Sequence, residues 1–299
     1  MNLLSSADLS KEEIEEMFEL AEDIKSGKEG LMLKDHSTVA LFFEKPSTRT
    51  RVSFEVAADQ LSGSSIYINT DTTHHTRGEE LGDTAKVLGL YCDFIVVRIE
   101  DHEGLLTMAK NSKVPVINAL THLEHPTQAL ADCYTMIQYK KSMKKLRVAF
   151  MGDIAANTAN SLMLTAVKLG AEMSLVGPKN KQANTFYFNK AREYGTVEMY
   201  DSVEDGLEGA DVVYTDTFVS MGDEGEAESR KKMFAPYQLN SQALSYAKSD
   251  SIVMHCLPAH RGEEITAEVL DGPRSVVWEQ AANKLIIEKA ILLYLSEKS

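Results

Sequence analysis

The sequence predicts an α/β protein with two doubly wound domains, each a parallel sheet of four to five strands flanked by helices. The chain has 299 residues, which is longer than a single hydrophobic core usually serves. From about Ser37 onward, short β-branched or aliphatic runs alternate with longer segments of helical period, as in β–α–β units. A polar, cationic stretch at Gln138–Lys145 separates these runs into two series.

Nine runs have the length and composition of buried strands. In the first series we expect strands at Thr38–Phe43, Ser65–Asn69, Phe94–Ile99 and Val114–Asn118. In the second series we expect strands at Leu146–Met151, Met173–Val176, Asp211–Asp216, Ser251–His255 and Ser275–Trp278. Two sheets of four or five strands agree with the two domains that the length suggests.

The domain boundary is placed at the cationic stretch, because such a stretch is typical of a helix end that leads into a strand. The expected domains are residues 1–137 and residues 138–280. The last segment, residues 281–299, is expected to complete the first domain as a helix. Its apolar side chains recur at helical spacing, at Ala282, Leu285, Ile286, Ala290 and Leu293.

Charge and cysteine content narrow the class of protein. The net charge is −14, with 45 acidic against 31 basic residues, so nucleic acid is not an expected partner, whereas a small anion is still possible. Three widely spaced cysteines argue for a reducing compartment rather than a disulfide framework. No apolar run approaches the ~20 residues of a membrane span, and the start is unlike a signal peptide. We therefore expect a cytoplasmic protein without a membrane partner.

The segment Phe43–Arg51 follows a predicted strand and opens a predicted helix. Ser47 is a natural N-cap for that helix. A helix N-terminus offers unpaired N–H groups and a partial positive charge, so it favours an anion such as phosphate. Taken alone, the segment is equally compatible with a capped surface helix whose arginines are solvated.

A second motif, His125–Gln128, also follows a strand and begins a helix. His125 and Gln128 lie one turn apart and can point at one small polar ligand, although the pair alone is a weak signal. His122 and His125 have no further ligand at a recognisable spacing nearby, so no metal site is expected.

Three motifs fall in the second predicted sheet. His255–Ile265 follows the end of a strand, where ligands bind in open α/β sheets. Within it, Cys256 with a histidine could form a nucleophilic pair, but a buried cysteine more often acts as a small apolar residue. Asp216, at a strand exit, could be a ligand group or a turn residue. The turn Gly152–Asn157 has one of the three glycines of a dinucleotide fingerprint, which disfavours a nicotinamide cofactor.

Taken in chain order, the five motifs resemble those of the aspartate/ornithine carbamoyltransferase family, and the similarity runs from Ser47 to Lys284. The resemblance implies a site for carbamoyl phosphate. Its phosphate would be bound by Ser47, Thr48, Arg49 and Thr50, with Arg51 supporting the loop. Arg98 would contact the same substrate, while His125 and Gln128 would hold the carbamoyl oxygen and amide.

Within the family, the ornithine branch is the most similar, because Ser220–Gly222 and His255–Pro258 are both its marks. The resemblance implies that Asn157, Asp216, Ser220 and Met221 hold the amino-acid end of L-ornithine. Cys256 and Leu257 would lie between the two substrates. It also implies that the Leu257–Pro258 peptide is cis, and that the catalytic residues are Arg98, His125, Gln128 and Cys256.

Two positions depart from the family pattern. His74 stands where a glutamine commonly contacts carbamoyl phosphate, and Lys284 stands where a late arginine does so. The turn Gly152–Asn157 also has one residue more than usual. The family implies a homotrimer or a multiple of trimers, in which the loop with His74 reaches into the active site of a neighbouring subunit.

The chemistry implied is attack of a neutral amine on a carbonyl carbon, with phosphate leaving and no cofactor. Fixed cations and hydrogen-bond donors are the expected catalysts, and two domains that close would align the substrates. Three alternatives stay open: another acceptor amine such as putrescine or aspartate, a catalytically silent amino-acid-binding protein on the same fold, and a dinucleotide-dependent oxidoreductase. A role in arginine biosynthesis is implied by the family resemblance alone, since the residues do not distinguish synthesis from breakdown.

Overall fold

The computed structural model describes residues 1–70, 78–219 and 224–298. The chain divides into two compact units. The first contains residues 1–130 and the chain from Lys284 onward, and the second contains residues 131–283. Within the described ranges, no helix has the length and apolar character that crossing a membrane requires.

The first unit is built on a parallel sheet. Its strands are β1 (Thr38–Phe43), β2 (Ser64–Asn69), β3 (Phe94–Arg98) and β4 (Val116–Leu120), in the spatial order β2-β1-β3-β4. Its helices are α1 (Lys11–Ser26), α2 (Thr48–Gln60), α3 (Leu81–Tyr91) and α4 (His102–Asn111). The central strands β1 and β3 are almost wholly buried, as expected for a parallel sheet covered on both faces.

The second unit has a parallel sheet of five strands in the order β7-β6-β5-β8-β9. The strands are β5 (Arg147–Met151), β6 (Glu172–Val176), β7 (Val197–Tyr200), β8 (Val212–Thr215) and β9 (Ile252–His255). Two helices belong to both units: α5 (Pro126–Lys140) begins in the first unit, and α12 (Val277–Glu297) ends in it. The helices between them are α6 (Asn157–Lys168), α7 (Thr185–Arg192), α8 (Val203–Leu207), α9 (Ala227–Phe234), α10 (Ser241–Ser245) and α11 (Ala267–Leu270). The predicted fold class is confirmed.

Eight of the nine predicted strands are present, with ends that differ by at most two residues from the prediction. The ninth, Ser275–Trp278, is wrong: Ser275 makes a single bridge to Val253, and α12 begins at Val277. The fifth strand of the second sheet is instead β7, which the sequence analysis did not predict. It is a short edge strand whose middle residues are exposed, so it lacks the continuous apolar run of its neighbours.

The helix α2 begins as predicted, with Ser47 in an extended conformation at the N-cap. The Ser47 side chain makes no capping hydrogen bond, so its hydroxyl does not close the helix end. At the other end of the helix, Ser62 has a positive φ of 63°, and Gly63 follows it. Gly63 is required by packing, because a Cβ there would lie 3.0 Å from the carbonyl oxygen of Ser37.

Candidate active site

Each sheet has one place where the chain reverses its direction of strand addition. In the first sheet this switch lies between β1 and β3, and in the second it lies between β5 and β8. Ligands of open α/β sheets bind beyond the carboxyl ends of the strands at such switches. Ser47 and Arg98 follow or end the two strands at the first switch, and Asn157 and Asp216 follow the two strands at the second. Three of the five sequence motifs, together with Arg98, therefore fall at the two positions where this architecture binds ligands, and the other two follow the edge strands β4 and β9.

The N-terminus of α2 presents the phosphate motif. Thr48 and Arg49 are exposed, Ser47 is half-buried and Thr50 is buried. The first N–H groups of a helix have no acceptor within the helix, so they can bind an anion together with these side chains. Arg51 points elsewhere: its Nε donates to Glu55 at 2.9 Å, and its guanidinium lies 3.7 Å from the ring centre of Tyr67 on β2.

His125 precedes α5 and is 6% exposed. Burial lowers the pKa of His125 well below its usual value, and the charges of Lys284, Arg98 and Arg49 lower it further. The imidazole is therefore neutral near neutral pH and can donate one hydrogen bond without carrying charge. Its Nδ1 lies 3.3 Å from the hydroxyl of Thr127. A neutral donor among three cations suits a carbonyl oxygen on which negative charge develops.

Gln128 and Lys284 complete the set in the first unit. Gln128 is buried in the first turn of α5. Lys284 is 4% exposed on α12, and its Nζ lies 3.2 Å from Oε1 of Glu288, which is 0% exposed. Lys284 was predicted from the sequence but Glu288 was not, since an acidic residue in a helical segment usually lies on a solvated face.

Asp216 follows β8 and is 9% exposed. Its Oδ2 accepts a hydrogen bond from the Thr158 hydroxyl of α6 at 2.7 Å. Its Oδ1 accepts from the backbone N–H of Thr217 at 2.8 Å and from the thiol of Cys256 at 3.1 Å. These donors fix the orientation of the carboxylate, so Asp216 is a preorganised negative group and not merely a turn residue.

Cys256 is a protonated thiol. Burial raises the pKa of Cys256 well above its usual value, and the carboxylates of Asp216 and Asp132 raise it further. The thiolate is the nucleophilic form of cysteine, so a pKa raised in this way disfavours a covalent role. The thiol instead donates to Asp216.

His255 does not serve as a base for Cys256, because both of its ring nitrogens are occupied. Nδ1 accepts from the backbone N–H of Leu257 at 2.8 Å, so Nε2 carries the proton and donates to Glu264 at 3.2 Å. Glu264 also accepts from the backbone N–H of His260 at 2.5 Å. Burial acts to raise the pKa of Glu264, but the bonds from His255 and His260 outweigh it and lower the pKa. This arrangement holds the turn in which the Leu257–Pro258 peptide is cis, as predicted.

A buried hydrogen-bond network also holds the end of β9, where this turn begins. The Tyr214 hydroxyl donates to Asp132 at 2.9 Å, and Gln280 donates to the other oxygen of Asp132 at 2.7 Å. Gln280 in turn accepts from the backbone N–H of His255 at 3.0 Å. These partners were not predictable from the sequence, because Asp132 and Gln280 are 148 positions apart and neither belongs to a recognisable motif.

The turn between β5 and α6 is anchored to the segment after β8. Arg230 of α9 forms a buried ion pair with Asp153 and donates from Nε to the carbonyl oxygen of Phe218 at 2.8 Å. Asn157 is half-buried as the first residue of α6, where no capping side chain precedes it. Three predicted site residues, His74, Ser220 and Met221, lie outside the described residues.

Two groups of side chains in the described ranges have ligand atoms within 4.8 Å of one another: Asp216, His255 and Cys256, and separately His260, Glu263 and Glu264. By spacing alone, either group could hold a metal ion. In the first group, however, the thiol proton and both ring nitrogens of the histidine are used in hydrogen bonds. The donor atoms of this first group are therefore accounted for by the protein's own contacts.

Two family models match almost the whole chain. One is described as the carbamoyl-P binding domain of aspartate/ornithine carbamoyltransferase and matches residues 1–138. The other is described as the Asp/Orn binding domain of the same family and matches residues 144–295.

Curated proteins and solved structures agree with these matches. An ornithine carbamoyltransferase of Archaeoglobus fulgidus is 43% identical and covers 99% of this chain and 98% of its own. The structure of ornithine carbamoyltransferase from Pyrococcus furiosus has a TM-score of 0.92 at 43% identity, covering 97% of this chain and 95% of its own. An anabolic ornithine carbamoyltransferase from Campylobacter jejuni has a TM-score of 0.93 at 38% identity, covering 100% and 99%.

Proposed function

Because the chain belongs to the aspartate/ornithine carbamoyltransferase family, we propose that it transfers the carbamoyl group of carbamoyl phosphate to the side-chain amine of L-ornithine. The products are L-citrulline and phosphate. The observation that carries this function is the neutral, buried His125 held among the charges of Lys284, Arg98 and Arg49. The relatives reported above are named for ornithine rather than for another acceptor.

In the proposed mechanism, the neutral amine nitrogen of ornithine attacks the carbonyl carbon of carbamoyl phosphate. A C–N bond forms, the bond from carbon to the phosphate oxygen breaks, and phosphate leaves with the bonding electrons. The amine nitrogen loses one proton during the step, and the departing phosphate accepts it. Negative charge grows first on the carbonyl oxygen and then on the leaving oxygen, so fixed donors and cations lower the barrier.

The residues of the first unit would bind carbamoyl phosphate. Ser47, Thr48, Arg49 and Thr50 would bind the phosphate at the N-terminus of α2, because the N-terminus of a helix favours an anion. His125 and Arg98 would polarise the carbonyl oxygen, and Gln128 would accept from the carbamoyl amide. The position of Lys284 in the same charged environment as His125 supports its contact with this substrate.

The residues of the second unit would bind ornithine. Asp216 carries a negative charge that favours an amine-bearing substrate over one with a second carboxylate. Asn157, Ser220 and Met221 would bind the amino-acid end, as the family resemblance implies. Cys256 would act as a protonated thiol beside the acceptor, and Leu257 would contact it through the turn that follows β9.

The domain limits, the compartment and the pathway are also proposed. We propose that residues 1–137 with 281–299 form the carbamoyl phosphate domain and residues 138–280 the ornithine domain. Free thiols at Cys92, Cys133 and Cys256 support a reducing, cytoplasmic location. The name of the Campylobacter jejuni relative, an anabolic enzyme, supports the direction of arginine synthesis.

We propose a cyclic trimer, or a multiple of trimers, in which His74 of one subunit completes the site that holds Arg49 of its neighbour. An imidazole can replace a glutamine as a donor to phosphate. Arg49→Ala and His74→Ala homotrimers should each be impaired. Refolding the two variants together should restore about a quarter of the sites, because a cyclic interface pairs one face of each subunit with another face of the next. Mixed trimers without activity would contradict the shared site.

The function is tested by incubating the purified protein with carbamoyl phosphate and ornithine, and by measuring citrulline and phosphate together. Equal amounts of the two products are expected, because each transfer releases one phosphate. Parallel reactions with aspartate and putrescine test the acceptor. Release of phosphate without citrulline, or faster turnover with another amine, would contradict the proposal.

A further inference from the structure

Lys284 and Glu288 lie one turn apart on α12, yet both are in the core. Pairs at this spacing are usually solvated and contribute little, whereas a buried pair must offset the loss of water from both charges. In the part of the chain that the structure describes, the Lys284 ammonium and both Glu288 oxygens are buried without a hydrogen bond of normal geometry. Between the two side chains, Nζ of Lys284 lies 3.2 Å from Oε1 of Glu288. The pair therefore has hydrogen-bonding capacity that the protein itself does not use.

The surroundings of the pair connect it to the carbamoyl phosphate site. The Glu288 carboxyl is faced by Lys284 of the same helix, α12, and by the Ser53 hydroxyl of α2. Lys284 also shares its environment with His125, because its charge lowers the pKa of His125 together with the charges of Arg98 and Arg49. Glu288 thus stands behind a cation that belongs to the anion site.

Resting on the proposed function, we propose that Glu288 is a positioning residue, which holds the Lys284 ammonium for carbamoyl phosphate and takes up a proton when the phosphate dianion binds. Binding brings negative charge to the far side of Lys284, and the ammonium turns its free N–H groups to the ligand. The ionised Glu288 carboxylate is then less well compensated by the Lys284 ammonium and is also repelled by the bound phosphate. Both effects disfavour the charged form of Glu288. The proton comes from the solvent and forms an O–H bond on the Glu288 carboxyl.

The charge state of Glu288 makes this coupling visible near neutral pH. Burial raises the pKa of Glu288 to about 7, against the opposing effects of Lys284 and Ser53. Well below that pH the carboxyl is protonated with or without ligand, so binding needs no further proton. Above it, binding must recruit one, and affinity falls by up to about tenfold per pH unit until the pKa of the bound state is reached. The KM for carbamoyl phosphate should therefore rise with pH.

The first experiment is calorimetric titration with carbamoyl phosphate, without ornithine, in buffers of different ionisation enthalpy. Near pH 7 the native enzyme should take up about half a proton more than Glu288→Gln, because a group at its pKa is half protonated. Subtracting the Glu288→Gln value removes protons taken up by the ligand or by other residues. The matched control is Glu15→Gln, which disrupts the exposed Lys11–Glu15 pair of the same spacing on α1. This control should behave as the native enzyme.

Steady-state kinetics give a second measure. Between pH 6 and pH 8.5, the KM for carbamoyl phosphate should rise about threefold to tenfold more in the native enzyme than in Glu288→Gln. The KM for ornithine should show no such difference, which separates a positioning role from a general loss of structure. Infrared difference spectra should show a protonated carboxyl band on ligand binding that Glu288→Gln lacks.

If Glu288→Gln does not fold, Ser53→Ala tests the same group from the other helix. The Ser53 hydroxyl lowers the pKa of Glu288, so its removal should move the midpoint of the KM profile to higher pH. Equal proton uptake and equal KM profiles in native and Glu288→Gln enzymes, or an unmoved midpoint in a folded Ser53→Ala variant, overturn the inference. A native enzyme that forms no citrulline refutes the proposed function instead, so the two failures are distinguishable.

Discussion

The two units use the same architecture for opposite electrostatic purposes. Each has a parallel sheet with a switch point, and each places its polar residues beyond the strand ends. The first unit gathers the charges of Arg49, Arg98 and Lys284 around a neutral His125. The second fixes the Asp216 carboxylate with three donors, one of which is a thiol. The sheet therefore supplies position, and the residues at the strand ends supply the chemistry.

This difference agrees with the two proposed substrates. Carbamoyl phosphate is an anion whose charge moves during the reaction, so it needs cations and donors that are already in place. Ornithine carries amines, so it is favoured by a fixed negative group. Exchanging or removing charge in one unit should then affect mainly the substrate of that unit, and the following variants test this expectation.

The largest effect is expected for Arg49→Ala. The exposed guanidinium at the start of α2 is proposed to bind the phosphate of carbamoyl phosphate directly, so its loss should lower kcat/KM for that substrate by about a thousandfold. The fold should be kept, as circular dichroism and thermal unfolding can establish. Arg192→Ala, which removes an exposed arginine of α7, is the control and should have near-native activity. Near-native activity of Arg49→Ala itself would refute the role of the α2 N-terminus.

His125→Ala should lower kcat by about a hundredfold, because it removes a positioned donor to the carbonyl oxygen. Since burial and three cations lower the pKa of His125, the ring loses its active neutral form only well below pH 6.5. Ionisation of His125 should therefore contribute no acid-side fall in the native kcat near pH 6.5. His122→Ala, at the exposed histidine three residues earlier, should be close to native. A native acid limb near pH 6.5 that depends on His125 would contradict the neutral assignment.

A smaller effect is expected for Asp216→Asn. Loss of the negative charge should lower kcat/KM for ornithine by about tenfold to a hundredfold and should reduce the preference for ornithine over aspartate. The KM for carbamoyl phosphate should change little, because that substrate is bound by the first unit. Asp205→Asn, at an exposed acid of α8, serves as the control. A native enzyme that prefers aspartate would show that the acceptor was misassigned.

Much of the fold was predictable because parallel strands leave a strong signal. Buried strands such as β1 and β3 are continuous apolar runs, and these were found with small errors at their ends. The edge strand β7 was missed because its middle residues are exposed. The run at Ser275–Trp278 was misassigned, since its two valines and tryptophan favour a strand locally, whereas the structure continues them into the long helix α12.

The site was predictable only where residues belong to local motifs. His125, Asp216 and Cys256 follow predicted strands, so topology alone brings them to a ligand-binding edge. Glu264 and Glu288 were not found, because their importance depends on partners and burial that spacing does not reveal. Both lie in the core with at least one carboxylate oxygen unpaired in the described structure. A polar residue within an otherwise buried helix, as in α12, is the one signal that could have directed attention to Glu288.

The smallest effect is expected for Glu264→Gln, which tests how the second unit holds Cys256. Oε1 of Glu264 accepts from both His255 and the backbone of His260, and a glutamine can keep that oxygen while losing the charge. Its amide would then occupy the place of the buried, unpaired Oε2, so we expect a loss of about 1 to 2 kcal/mol in unfolding free energy and a few-fold higher KM for ornithine.

The pKa of Glu264 is lowered in the fold, so this stabilisation is present above the unfolded pKa and is lost as the pH falls through the folded pKa. The difference in Tm between native and variant enzymes should therefore narrow as the pH falls below the usual pKa of a glutamate. Glu263→Gln is the matched control: that acid pairs with Lys231 on a partly exposed surface and should contribute much less. Equal Tm values for the native enzyme and Glu264→Gln at pH 7 would mean that the His255 turn is held by the Asp132 network alone.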